Sequence, residues 1–203
     1  MIFGGGASAR REARRISLEL ELSELQSRRR TVAELQASVM EDQALLARAL
    51  ATLTPQLDWE QAADLVRQLC FRPFELSAFL VARMDWEQGW LHFPYFFEVG
   101  RTRYEPPRQL SDQPGLTGRA LLQNAPLYLS SKEETFGAGA VLTEAEKSTG
   151  LLSQSWYGVP LAGREIHRPA GLMAFQSFQA NAFPENRRRL MGSLAGITAL
   201  HLK

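Results

Sequence analysis

The residue types able to carry covalent or metal chemistry are few and scattered. Cys70 is the single cysteine, which excludes an internal disulfide framework and any multi-thiolate metal site. The three histidines, His92, His167 and His201, fall on an expected strand, a hairpin loop and a final turn. That scatter gathers no ligand set, so neither a metal nor a haem is expected. There is no Gly-x-Ser-x-Gly elbow and no Gly-x-x-x-x-Gly-Lys phosphate loop. Phe136-Gly137-Ala138-Gly139-Ala140 has the flexibility of a hinge without the following Lys. It reads as part of a pocket lid or as plain linker.

What remains is the chemistry of binding. Trp90, Phe93, Tyr95, Phe96 and Phe97 cluster on one expected strand, and Trp156, Tyr157 and Phe175 lie on two others. Concave ligand sites are mostly apolar with a few placed polar groups, and Arg119, Gln176 and Ser177 are of the right type to supply them. The candidate ligand-binding set is Trp90, Phe97, Arg119, Trp156 and Phe175. The competing reading is that these aromatics are ordinary core of a two-sided sheet.

Charge and length bound the rest. Lys and Arg number 23 against 22 Asp and Glu, a net charge of +1 over 203 residues, so nucleic acid is not an expected partner. No apolar run approaches the roughly 18 residues needed to span a bilayer. The opening Met1-Ile2-Phe3-Gly4-Gly5-Gly6 is followed by arginines and glutamates rather than a secretory core. A soluble cytoplasmic protein is expected.

Residues 1–53 read as an N-terminal helical segment. Positions 8 to about 53 contain no Gly or Pro and are rich in good helix formers. Steps of four and three from Leu18 give Leu18, Leu22, Leu25, Arg29, Val32, Gln36, Val39, Gln43, Leu46, Leu50 and Leu53. One half of this seam is entirely Leu or Val. The other holds Arg29, Gln36 and Gln43 between Leu22 and Leu50, and such polar layers weaken a coiled coil while restricting its register. A homodimer through Leu18, Leu22, Leu25, Val32, Val39, Leu46 and Leu50 follows, with an amphipathic helix folded on its own domain as the rival. The clusters Arg10, Arg11, Arg14, Arg15 and Arg28–Arg30 read as a solvated face, since Glu24 sits four residues before Arg28.

Residues 54–203 read as a compact α/β domain. Thr54-Pro55 breaks the first helix, and Asp58-Trp59-Glu60-Gln61 caps a second that runs to Cys70 before Pro73. Phe74 to Met84 and Trp90 to Val99 form two strands about an Asp85–Gly89 turn, with an edge or bulge at Pro94. A polar, Pro-containing loop is expected from Arg101 to Gln113, a short helix from Gly115 and a short strand at Leu127-Tyr128-Leu129. Thr143-Glu144-Ala145-Glu146 is a capping box with Gly150 placed to end its helix. Strands Ser155–Leu161 and Ala170–Phe178 follow, then a last helix entered through Pro184-Glu185. The order is α–β–β–α–β–α–β–β–α.

Four stretches, in that order, resemble a GAF domain. Leu57-Asp58-Trp59-Glu60-Gln61-Ala62 resembles the family's first-helix opening. Gly115-Leu116-Thr117-Gly118-Arg119-Ala120-Leu121 with Asn124-Ala125-Pro126-Leu127-Tyr128 resembles its central helix and following strand. Ser155-Trp156-Tyr157-Gly158-Val159-Pro160-Leu161 resembles its Val-Pro-Leu strand. Gly171-Leu172-Met173-Ala174-Phe175 with Asn181-Ala182-Phe183-Pro184-Glu185 resembles its last strand and the entry to the C-terminal helix. The resemblance covers roughly 50–203. It implies an α/β (α+β) fold: an antiparallel-type sheet of about five strands, with helices on both faces and a long helix in front.

The resemblance also frames the function. Relatives that reduce methionine sulfoxide need thiols to attack and to resolve, and one cysteine cannot complete that cycle, so no enzyme activity is expected. Covalent bilin attachment needs a pocket cysteine, and residues 71–203 have none. The Asn181–Glu185 stretch lacks the Lys and Asp of the cyclic-nucleotide set. No cofactor is expected. The expected function is a sensory or regulatory protein that dimerises through its N-terminal helix and couples an unknown small molecule, or a signalling protein partner, to helix packing. The alternative is a ligand-free dimerisation and docking adaptor.

Overall fold

The computed structural model describes residues 5–111, 114–165 and 167–201. Residues 1–4, the Gln113 end of the polar loop and the side chains of Arg10 and Arg11, all named above, lie outside the described residues. The chain divides into two compact units, Met1–Ala44 and Leu45–Lys203. The boundary precedes the expected break at 53/54 because Leu45, Ala49 and Leu53 are buried in the core of the second unit.

Helix α1 spans Gly5–Thr52, and most of it makes up the first unit. Its good helix formers carry it without a break. Leu18, Leu22, Leu25, Val32, Val39 and Leu50 are all between 44% and 62% exposed, so this apolar seam is uncovered along the helix. Ile16, Leu20, Leu35 and Met40 add exposed apolar surface. Leu46 behaves differently, packing half-buried against the domain core. The Glu24–Arg28 pair that the spacing favours is not made among the described residues. Arg15 instead pairs with Glu12 at 2.7 Å and Glu19 at 3.6 Å.

The second unit is built on one antiparallel sheet. Its elements are α2 (Trp59–Phe71), β1 (Ala78–Asp85), β2 (Trp90–Glu98), β3 (Arg101–Thr102), β4 (Glu105–Gln109), α3 (Gly115–Gln123), β5 (Leu127–Leu129), α4 (Lys132–Gly137), α5 (Glu144–Thr149), β6 (Ser155–Leu161), β7 (Gly171–Ser177) and α6 (Glu185–Ala199). The sheet order is β3-β2-β1-β7-β6-β5, with β4 also paired to β2. Local signals set several ends. Asp58 and Gln61 form the reciprocal capping box that starts α2. Thr143 and Glu146 do the same for α5, which Gly150 ends in a left-handed conformation.

Among the described residues the sheet has seven strands rather than about five, because the expected loop from Arg101 holds β3 and β4. Pro106 and Pro107 concealed β4. They sit where its register against β2 shifts, between Arg108 opposite Leu91 and Glu105 opposite Phe93, so the ladder is irregular where prolines remove donors. Helix α4 was also unexpected; Ser131 caps it by accepting the Glu134 N–H.

The two faces of the sheet carry separate cores. On one, Phe79, Val81, Tyr95, Phe97, Tyr157, Val159, Leu161, Met173 and Phe175 pack against α2, α6 and the end of α1. On the other, Leu80, Ala82, Leu91, Phe93, Phe96, Trp156, Leu172 and Ala174 meet Leu116, Ala120 and Leu121 of α3. The first face is tied down by polar contacts as well. Tyr95 donates to Asp64, Arg67 Nε donates to the Tyr95 hydroxyl at 2.9 Å, and the Arg67 guanidinium lies 4.2 Å from the Phe97 ring centre. Burial and the Asp64 carboxylate push the Tyr95 phenol up to about 12.

Candidate functional site

A bulge in β2 gives the second face its character. Val81 pairs with Tyr95 but Arg83 pairs with His92, so β2 carries one more residue than β1 across Phe93-Pro94. Strand side chains alternate faces, and the extra residue lets both Phe93 and Phe96 point to the same side. Together with Leu80, Leu91, Leu116 and Trp156 they line a cavity of about 70 Å³. The Trp156 indole lies against Gly158, which has room for it only as glycine: a Cβ there would stand 2.1 Å from the ring.

The cavity has a polar end and a cover. Arg108 pairs with Glu105 at 2.5 Å and lies 4.7 Å from the Phe93 ring centre, a cation–π distance. Thr117, Ser153 and Gln176 add hydroxyl and amide groups to the wall. The first turn of α3 (Gly115, Leu116, Thr117) faces it, and residues 140–143 with Glu146 of α5 close it. An open groove of about 700 Å³ adjoins it, sharing Pro114, Gly115, Ala140 and Val141 and continuing to Arg119, Leu122 and Gly139.

Of the residues singled out from sequence, Trp156 lines the cavity and Arg119 lines the adjoining groove, its guanidinium 3.4 Å from the Ala138 carbonyl. Phe97 and Phe175 are packed in the core on the opposite face. Trp90 is half-buried at the start of β2, opposite Asp85 and Gln109, and outside the cavity lining. Gln176 lines the cavity, whereas Ser177 is structural, donating to the Glu75 carbonyl and accepting from the Gln179 N–H. The composition of the strands picks out these aromatics but cannot sort their faces, because the bulge changes the parity after Phe93. Glu105 and Arg108 were missed inside the proline-containing stretch.

Other reactive groups lie elsewhere. Cys70 is fully buried on α2 in the core of the opposite face, where burial pushes its thiol up. Among the described residues no three His, Cys, Asp or Glu side chains gather as a metal site.

An open antiparallel sheet backed by helices on one face, with short helices covering a cavity on the other, defines a class of small α/β domains. Solved structures narrow it: the chain has the GAF fold. The GAF domain of an Acinetobacter phosphoenolpyruvate-protein phosphotransferase superposes with a TM-score of 0.64 at 14% identity, over 78% of this chain and 90% of that one. A putative GAF sensor protein from Burkholderia vietnamiensis gives 0.60 at 18%, over 80% and 94%. The free methionine-R-sulfoxide reductase of Neisseria meningitidis, solved with its substrate, gives 0.63 at 17%, over 79% and 87%. No protein-family model matches the chain, and no curated protein does.

The reductase match corrects one expectation. Absence of enzyme activity was inferred from the cysteine count, yet the same fold, at similar overall likeness, is that of an enzyme. The cysteine argument addresses one thiol mechanism and not the catalytic capacity of the fold. Among the described residues no helix is long and apolar enough to cross a membrane.

Proposed function

We propose that this chain is a sensory or regulatory GAF protein that takes a small molecule into the cavity beneath α5 and pairs with a second copy through the exposed seam of α1. The observation that carries the reading is the contrast in packing: one sheet face is filled, while the other keeps a mostly apolar space with a charged pair at its rim. The space is well below the roughly 300–1,000 Å³ of drug-sized ligand sites. The expected occupant is therefore compact, with an apolar body and a polar group directed to Arg108, Thr117 or Gln176.

The seam supports pairing because an isolated helix of this kind gains little from leaving Leu18, Leu22, Leu25, Val32 and Val39 in water, whereas a second copy covers them. Ligand-dependent settling of the cover would shift the population of domain conformations. A thermal-shift screen of small carboxylates, amino acids and nucleobases tests the site. At least one compound should raise the melting temperature of the wild type and leave Leu80→Phe, which fills the cavity from β1, unchanged. A panel without effect on the wild type, or with equal effect on both proteins, would contradict the reading.

A further inference from the structure

We propose that the carboxyl group of Glu98 is a proton-sensitive latch that ties α5 to the end of β2, holding the cover over the cavity at lower pH and releasing it as the pH rises. The proposal assigns regulation to the cavity of the preceding reading and rests on it for its purpose. The latch itself needs no ligand.

Glu98 is the last residue of β2, and its side chain is only 5% exposed. The Thr143 hydroxyl donates to its Oε1 at 2.9 Å. That hydroxyl also accepts the Glu146 N–H at 3.1 Å, and Glu146 Oε2 accepts the Thr143 N–H at 2.9 Å. The Thr143 hydroxyl proton is thus committed to Glu98, its lone pair to the helix. Strand end, N-cap and first turn of α5 form one linked unit, and Thr143 and Glu146 both line the cavity.

The second carboxyl oxygen is poorly compensated. Glu98 Oε2 lies 3.7 Å from Arg103 Nε, both atoms are buried, and neither has a hydrogen-bond partner among the described residues. The other charged groups nearby are Glu146 of α5 and Glu105 of β4, the latter paired with Arg108. An ionised Glu98 is therefore desolvated, half-bonded and faced by two further carboxylates. Burial pushes its carboxyl above the ordinary glutamate range, Glu146 and Glu105 add to this, and the Thr143 bond with the Arg103 charge only partly offsets it. Protonation on Oε2 leaves Oε1 able to accept from Thr143, so the bond survives neutralisation.

The direction follows from linkage. A carboxyl that is harder to ionise when covered than when solvated stabilises the covered form fully below its solvated pKa. That contribution is lost as the pH rises through the covered-state value.

Amide hydrogen exchange of the full chain without ligand, from pH 5 to 8 and corrected for intrinsic rates, reads this directly. Protection of residues 143–150 should fall several-fold with rising pH while residues 171–177 of β7 stay constant. Glu98→Gln, neutral but still an acceptor for Thr143, should keep 143–150 protected at every pH. Glu146→Gln keeps a capping partner at its position and removes one like charge, so it should move the wild-type midpoint to lower pH. Flat protection in the wild type, an unaltered pH dependence in Glu98→Gln, or an unmoved midpoint in Glu146→Gln would each overturn the latch. A failed ligand screen would not touch these outcomes, and flat exchange would leave the ligand site standing.

Discussion

The two faces of the sheet receive side chains from the same strands and end up different. Phe79, Tyr95, Tyr157 and Phe175 on one face interlock edge-to-face or stacked at ring separations of 5.3 to 6.4 Å, under three helices. On the other, Leu80, Phe93, Phe96 and Trp156 surround space, and the cover is the short helices α3, α4 and α5 with the loops that join them. The lesson is that aromatic content does not locate a site. What does is the fit of the covering elements: long amphipathic helices fill a face, whereas short capped ones span it.

The largest expected effect tests the filled face. Phe175→Ala should cost about 3–5 kcal/mol in denaturant unfolding, since a fully buried ring leaves a cavity its neighbours cannot close. A loss near 1 kcal/mol would mean that this face is loosely packed too. Val81 and Leu80 are neighbours on β1 that face opposite ways, and they sharpen the contrast. Val81→Phe should cost roughly 1–3 kcal/mol by overpacking, and Leu80→Phe less than about 1 kcal/mol because the space exists. Equal costs would break the comparison.

Asp58→Ala removes the side-chain half of the α2 capping box and should cost about 1 kcal/mol, seating α2 less firmly on the filled face. The smallest effect concerns acid stability. Burial pushes Asp64 up, but hydrogen bonds from Tyr95, Gln68 and Arg67 outweigh it and hold the carboxyl below its ordinary value. Its contribution is present above the ordinary aspartate range and lost as the pH falls through the lowered value. Asp64→Asn should therefore lower stability near neutrality and flatten the acid limb of the stability profile. An acid limb identical to wild type would show that the Tyr95–Asp64–Arg67 contact carries no charge-dependent stability.

Most elements of the domain were legible from local chemistry. Asp58, Thr143, Gly150 and Pro184 mark helix ends that the structure places within a residue or two. Strands β6 and β7 read correctly because both are apolar runs between turn residues. β4 was hidden because two prolines in five residues argue against a strand, and only its pairing along β2 makes it one. The site was less legible for a related reason. Alternation would put Phe93 and Phe97 on one face; the bulge puts Phe93 and Phe96 there instead, and sends Phe97 to the core. On α1 the heptad pattern picked out an uncovered seam. It missed that Leu45 and Ala49, one position off, turn toward the domain and draw Leu46 partly with them.

Native mass spectrometry of the gently purified full chain, beside Leu80→Phe, tests the central claim most directly. The expected spectrum shows twice the chain mass, with a discrete small mass retained by the wild type and lost in the variant. A single-chain mass, or bare protein in both samples, would contradict that claim.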